Sequence, residues 1–297
     1  MTHPLRLGLA AATAALTAAC SPLTLFSTFT PKDPASRADM GTAYGPLSRQ
    51  RLDVYAPRKS TAAAPVAVFF YGGSWDSGRR QDYRWVGQAL AAQGYLTIVP
   101  DYRIYPEVTY PSFLEDGAAA VRWARDHAKE LGGDPSRIVL VGHSAGAYNA
   151  VMLGFDTRYL KAQGVDPKSI RAVAGLSGPY DFIPIDGPVT RRTFGGAADL
   201  AATQPAQYAS RSGPAAFLAT GDADRTVYPR NTRKLAAAIG RTGGGEALCR
   251  RRSRRGGAGP VAAVPQQGAD PGRHDRLPGR RRQVGARLTV SRPPAKA

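Results

Sequence analysis

Gly142-His143-Ser144-Ala145-Gly146 sets a serine between two glycines in the pattern G-x-S-x-G. An apolar run, Ile138-Val139-Leu140-Val141, precedes it, and an Ala-rich stretch follows. A strand that turns sharply into a helix needs small residues beside the turn, and it projects the central hydroxyl from the strand's C-terminal end. The next backbone N–H and the helix dipole face the same space and favour negative charge developing there. This arrangement suits nucleophilic attack on a carbonyl.

Other elements must hold that turn in place. Near-continuous apolar runs recur at Pro65–Tyr71, Tyr95–Pro100, Ile138–Gly142, Ile170–Leu176 and Ala215–Thr220, and Arg51–Tyr55 alternates polar with apolar. Continuous apolar strands are buried on both faces, as in a parallel sheet. Helical spacing separates them at 81–93, 113–131, 145–154 and 230–240. In the second, Leu114, Ala118, Val121 and Ala124 share one face, and Gly132-Gly133-Asp134-Pro135 stops the helix. Alternating strands and helices predict an α/β fold: a doubly wound, mostly parallel sheet with right-handed crossovers.

With these elements in place the chain resembles the α/β-hydrolase superfamily, and within it the carboxylesterase branch that includes feruloyl-esterase-like lipoproteins of bacteria. The resemblance covers roughly residues 45–245. Tyr71-Gly72-Gly73-Ser74-Trp75 resembles that branch's H-G-G-G-type loop, with Tyr71 in place of the usual His. Asp101–Pro106 and Gly132–Arg137 also sit where the branch has similar segments. An oxyanion hole requires backbone N–H groups and close approach, which Gly72 and Gly73 permit, so Gly73, Ser74 and Ala145 are the expected donors. The resemblance implies that Asp224, in Gly221-Asp222-Ala223-Asp224-Arg225-Thr226-Val227, is the acid that orients a base. Asp222 is the alternative, with a turn role as its ordinary explanation.

A serine hydroxyl needs a general base near pH 7, usually His. In this order of residues it should follow Asp224. The sequence holds His3, His127, His143 and His274. His143 lies within the turn itself, where packing is the expected role. Only His274 lies downstream, in Asp270-Pro271-Gly272-Arg273-His274-Asp275, which reads as neither strand nor helix. It is the candidate base by order alone.

Residues 246–297 differ from the rest. They carry 13 Lys/Arg against 3 Asp/Glu, a net +10 of the chain's +18, and none of its 25 aromatic residues. Arg250-Arg251-Arg252-Ser253-Arg254 can be encoded CGG-CGT-CGG-TCA-C. Shifted by one base, this reads Gly-Val-Gly-His, 29 residues past Asp224. Under the same shift, Gly268–Arg280 can read Ala-Pro-Ile-Leu-Asp-Asp-Met-Thr-Ala-Phe-Leu-Ala-Asp, an amphipathic helix. Both features, in one frame and in the expected order, predict a frameshift near Glu246. The fold's final strand and helix are then expected to be missing. The alternative is a genuine basic, disordered extension.

At the other end, residues 1–20 have one cation, Arg6, a mildly apolar stretch and a small-residue site before Cys20, the layout of an export signal. Leu16–Pro22 resembles a bacterial lipoprotein signal, with Cys20 the lipidated residue; an ordinary signal with Cys20 incidental is the alternative. Residues 21–40 read as a tether, 41–245 as the α/β-hydrolase domain and 246–297 as the basic tail. The only other cysteine is Cys249, so no disulfide framework is available. No metal and no cofactor is implied. The apolar content of 43% rules out wholesale disorder.

The expected function is a serine carboxylic-ester hydrolase acting on a small-molecule ester, impaired because the His loop is absent. It is expected in the bacterial cell envelope or periplasm, with membrane contact only through the lipid anchor. The competing readings are an inactive pseudoenzyme and an anion-binding protein that uses the basic tail. Nucleic acid is not expected as a partner: aromatic stacking groups are absent from the tail, and an exported protein rarely meets nucleic acid.

Overall fold

The computed structural model describes residues 33, 36–58, 63–210, 212–242 and 248–250. Cys20, His274 and the basic tail beyond Arg250 lie outside them. The apolar runs form one eight-stranded sheet in the order β1-β2-β4-β3-β5-β6-β7-β8. The strands are β1 (Ser36–Ala43), β2 (Arg51–Pro57), β3 (Ala64–Phe70), β4 (Leu96–Pro100), β5 (Gly133–His143), β6 (Ile170–Leu176), β7 (Ala215–Ala219) and β8 (Leu248–Arg250). Strands β1 and β2 pair antiparallel with their neighbours, and all other pairs are parallel. The helices are α1 (Arg84–Ala92), α2 (Ser112–His127), α3 (Ala145–Phe155), α4 (Thr157–Ala162), α5 (Pro188–Phe194) and α6 (Arg230–Thr242).

Two expectations are corrected. Strand β1 starts inside the segment read as a tether, because Ser36–Ala43 pairs with Arg51–Pro57. Its mixed composition, SRADMGTA, carries no apolar run, so the partner strand supplies the order. At the other end, Leu248–Arg250 pairs with Phe217–Ala219, so the sheet does have a short final strand where one was expected to be missing. The expected loss of the final helix concerns residues outside those described.

Every residue of α3 is buried, which explains its Ala-rich, all-round apolar sequence. It lies close against the sheet: a Cβ on Gly154 would meet the Val173 side chain at 2.4 Å. Helices α2 and α3 thus cover the face that carries Phe70, Ile138, Leu140, Val173 and Leu218, all buried. On the opposite face Phe69 is also buried, with its ring 5.4 Å from that of Tyr83 just before α1. Along β5, β6 and β7 that second face is more open. Val139, Val141, Ala172, Ala174 and Leu176 are partly exposed, and Phe217 is 37% exposed.

Candidate active site

Ser144 occupies the turn between β5 and α3 with φ 53° and ψ −123°. A positive φ is uncommon outside glycine, so the surroundings must hold this residue in place. They do so on both sides. Ser144 N–H donates to Leu176 O at 2.8 Å, and Ser144 O accepts from Ala147 N at 2.9 Å. The flanking glycines are required by space: a Cβ on Gly142 would lie 2.1 Å from Gly146 O, and one on Gly146 would lie 2.1 Å from Phe70 O.

The loop after β3 passes directly over this turn. A Cβ on Gly72 would meet the Ser144 Cβ at 2.9 Å, so only glycine allows the approach. Gly73, Ser74 and Trp75 all have positive φ, at 137°, 52° and 59°. Gly73 O turns back to accept from Asp76 N and Ser77 N. Among the described residues, the N–H groups of Gly73, Ser74 and Ala145 donate to no protein acceptor. Ala145 directly follows Ser144, and Gly73 and Ser74 directly follow the Gly72 contact, so these amides without protein partners are the candidates to hold an anionic oxygen. The Gly72 N–H is not available, because it donates to Tyr83 Oη at 3.3 Å.

Several residues fix the loop, and sequence reasoning passed over most of them. Tyr71, in the position of the resembled family's His, donates to Asp101 Oδ1 at 2.9 Å and accepts from Arg49 at 3.0 Å. Arg49 also donates to Tyr102 O and Gly78 O. Arg80 closes the loop by pairing with buried Asp53 and Asp101, and its own N–H donates to Asp101 Oδ1 at 2.8 Å. The sequence signal for this network is slight: Arg49 just precedes β2, Asp53 lies within it, Asp101 directly follows β4, and Arg80 opens the turn before α1. Trp75 is buried, and its indole N–H donates to Asn149 Oδ1 at 3.1 Å. Its ring meets Phe194 at 4.8 Å and Tyr148 at 5.2 Å, both edge-on, and lies 6.5 Å from Phe182.

Phe182 and Phe194 belong to the long excursion between β6 and β7. Asn231 at the start of α6 ties this excursion down by accepting from Tyr180 N at 3.0 Å and Asp181 N at 2.9 Å.

Asp224 sits on the loop after β7, at the strand end that also carries the Ser144 turn, since β5, β6 and β7 run parallel. Its Oδ1 accepts from Thr226 N at 3.0 Å and Val227 N at 2.9 Å. Among the described residues Oδ2 accepts no hydrogen bond. Asp222 is exposed on the same loop.

The described histidines are His127 and His143. His127 Nδ1 donates to Trp123 O at 2.9 Å, and the ring stacks on that of Trp123. The His143 Nδ1 edge is packed under the Gly72 loop, 3.1 Å from Tyr83 Oη, although the side chain is otherwise exposed. Burial of that edge lowers its pKa, and the Asp224 charge opposes the shift. His143 is therefore neutral near pH 7, with Nδ1 free to accept from the Tyr83 hydroxyl.

The BD-FAE family model matches residues 52–239. The chain is 34% identical over 146 residues to the probable isoprenylcysteine alpha-carbonyl methylesterase ICMEL1 of Arabidopsis thaliana, covering 47% of this chain and 30% of that protein. It is 36% identical over 146 residues to the esterase LipC of Mycobacterium tuberculosis, covering 47% and 36%. The chain thus spans about a third of the length of these relatives. Among solved structures it is similar to esterase B from Lactobacillus rhamnosis, with TM-score 0.69, 21% identity, and 82% of each chain covered. It is also similar to a truncated carbohydrate esterase from gut microbiota, with TM-score 0.63, 20% identity, and 74% and 90% covered.

Proposed function

This chain belongs to the BD-FAE family, and from that premise we propose that it is a serine carboxylic-ester hydrolase working through an acyl-enzyme. The observation that carries this reading is the positive-φ Ser144 turn packed against the Gly72 loop, with the N–H groups of Gly73, Ser74 and Ala145 donating to no protein acceptor among the described residues. Ser144 Oγ attacks the ester carbonyl, and the carbonyl oxygen takes the negative charge among the N–H groups of Gly73, Ser74 and Ala145. A His oriented by the free oxygen of Asp224 accepts the serine proton and returns it to the leaving alcohol. Water then releases the acyl group by the same steps.

The chain as written is a poor catalyst, because His274 is the only histidine after Asp224 and its sequence surroundings read as neither strand nor helix. The test is hydrolysis of short p-nitrophenyl esters by the chain as written, by its Ser144→Ala variant and by the chain with a one-base correction near codon 246. High activity in the corrected chain that depends on Ser144 supports the reading. Activity that survives Ser144→Ala in every form overturns it. High activity in the uncorrected chain, lost in His274→Ala, makes His274 the base.

The N-terminal signal and Cys20 support export and lipid anchoring in a bacterial envelope. Palmitate labelling with and without globomycin tests this, and absence of label on Cys20 removes the anchor.

A further inference from the structure

Helix α3 carries one side chain at odds with its surroundings. Its sequence, AGAYNAVMLGF, is buried throughout, and besides Tyr148 only Asn149 is polar. The Tyr148 hydroxyl is used in full view of the fold, donating to Thr203 O at 2.7 Å. The Asn149 amide is only half used. Its Oδ1 accepts from Trp75 Nε1 at 3.1 Å, while Nδ2 has no partner among the described residues, although Asn149 is fully buried. The amide's orientation follows from chemistry: an indole N–H can only donate, so it must face the oxygen. A buried donor without a partner is destabilising, and packing alone gives no reason for an amide here. The acceptor oxygen is the feature that needs a use.

That oxygen reaches the loop over Ser144. Asn149 stands one helical turn beyond Ala145 on the same face of α3. Trp75 directly follows Ser74, and the two have φ of 59° and 52°. Non-glycine residues persist in this region only when their surroundings hold them there. Trp75 is held by hydrogen bonds at two points: its carbonyl accepts from Tyr105 N at 2.7 Å, and its indole donates to Asn149. One side-chain hydrogen bond thus ties the helix that carries the Ala145 N–H to the loop that carries the Ser74 N–H. We propose that Asn149 is a positioning residue for ester hydrolysis, holding the Ser74 amide, through Trp75, in register with the Ala145 amide so that one oxyanion meets both. The inference rests on the esterase reading and deepens it by assigning a residue that acts through another.

The test uses the full chain, as written or with the one-base correction, whichever hydrolyses a short p-nitrophenyl ester faster. Asn149→Leu is expected to lower kcat about 10–100-fold with KM changed less than about twofold, since a misplacement of about 1 Å can cost on the order of 100-fold. Asn149→Asp keeps an oxygen acceptor in the same place and should recover most of the loss. In Trp75→Phe the link is already gone, so adding Asn149→Leu should lower kcat by no more than about threefold further. The indole N–H resonance that Trp75→Phe removes should shift in Asn149→Leu and return in Asn149→Asp. An unchanged kcat in folded Asn149→Leu overturns the proposal, as do a loss carried by KM, losses that multiply in the double variant, or an indole resonance that stays in place. If circular dichroism shows that Asn149→Leu does not fold, Trp75→Phe decides: a fall in kcat alone supports the proposal, and an unchanged kcat overturns it. Absence of Ser144-dependent hydrolysis in both forms of the chain overturns the esterase reading itself, and this proposal with it.

Discussion

Tyr83 Oη lies 3.1 Å from His143 Nδ1 and accepts the Gly72 N–H at 3.3 Å, so one phenol joins the Ser144 turn to the loop above it. Burial raises the Tyr83 pKa, keeping the hydroxyl protonated and able to donate. Tyr83→Phe leaves a buried donor and acceptor without partners. It should cost about 1–3 kcal/mol, read as a lower urea midpoint.

The same pair predicts a pH dependence. Burial holds His143 below its ordinary 6.5 in the folded protein. Between the folded and unfolded pKa values the unfolded chain binds more protons, so stability rises with pH through that window and is lost as pH falls below about 6.5. Protonated Nδ1 also cannot accept from Tyr83. Unfolding midpoints at pH 7.5 and 5.5 should differ less in His143→Asn than in the parent protein.

Arg80→Met should be severe. The Asp53 side chain is fully buried, and Asp101 is nearly so, both paired with the Arg80 guanidinium. Removing the cation strands two buried carboxylates, and losing one partner of a buried pair costs about 3–5 kcal/mol. Thermal unfolding measures the loss. Replacing Asp53 and Asp101 by Asn together with Arg80→Met should recover part of it.

Gly146→Ala tests the turn's geometry. The new Cβ would lie 2.1 Å from Phe70 O, a backbone atom of a central strand that has nowhere to go. Overpacking typically costs about 1–3 kcal/mol and occasionally more, and a rigid neighbour puts this case at the upper end. Chemical denaturation of Gly146→Ala beside Gly240→Ala, where a Cβ meets nothing within 4 Å, separates the clash from a general glycine effect.

In the one-base-corrected chain, Asp224→Asn should lower kcat by on the order of 10⁴ while the protein stays folded, the effect of misorienting the base. Ser144→Ala should lose on the order of 10⁶. Steady-state kinetics on a short p-nitrophenyl ester, with circular dichroism to confirm folding, checks both. A small effect of Asp224→Asn together with a large effect of Asp222→Asn would move the acid to Asp222.

The parallel core was legible because continuous apolar runs have few other uses: Ile170–Leu176 is strand β6 residue for residue, and 145–154 falls within α3. The Ser144 turn was legible because its glycines answer to local sterics that a five-residue pattern encodes. Strand β1 was not legible, since its order comes from pairing with β2 and not from its own composition. Nor was the Tyr83–His143–Gly72 contact, which joins residues 60 and 11 positions apart through a loop whose path depends on the Arg49 and Arg80 network.

Trp75 follows Ser74 in the chain, yet its ring is wedged among Phe182 and Phe194 of the excursion between β6 and β7 and Tyr148 of α3. That excursion therefore cannot shift without pulling on the backbone of Ser74. The loop over Ser144 and the segment beyond β6 are packed as one unit, so a disturbance at Phe194 is felt at Ser74.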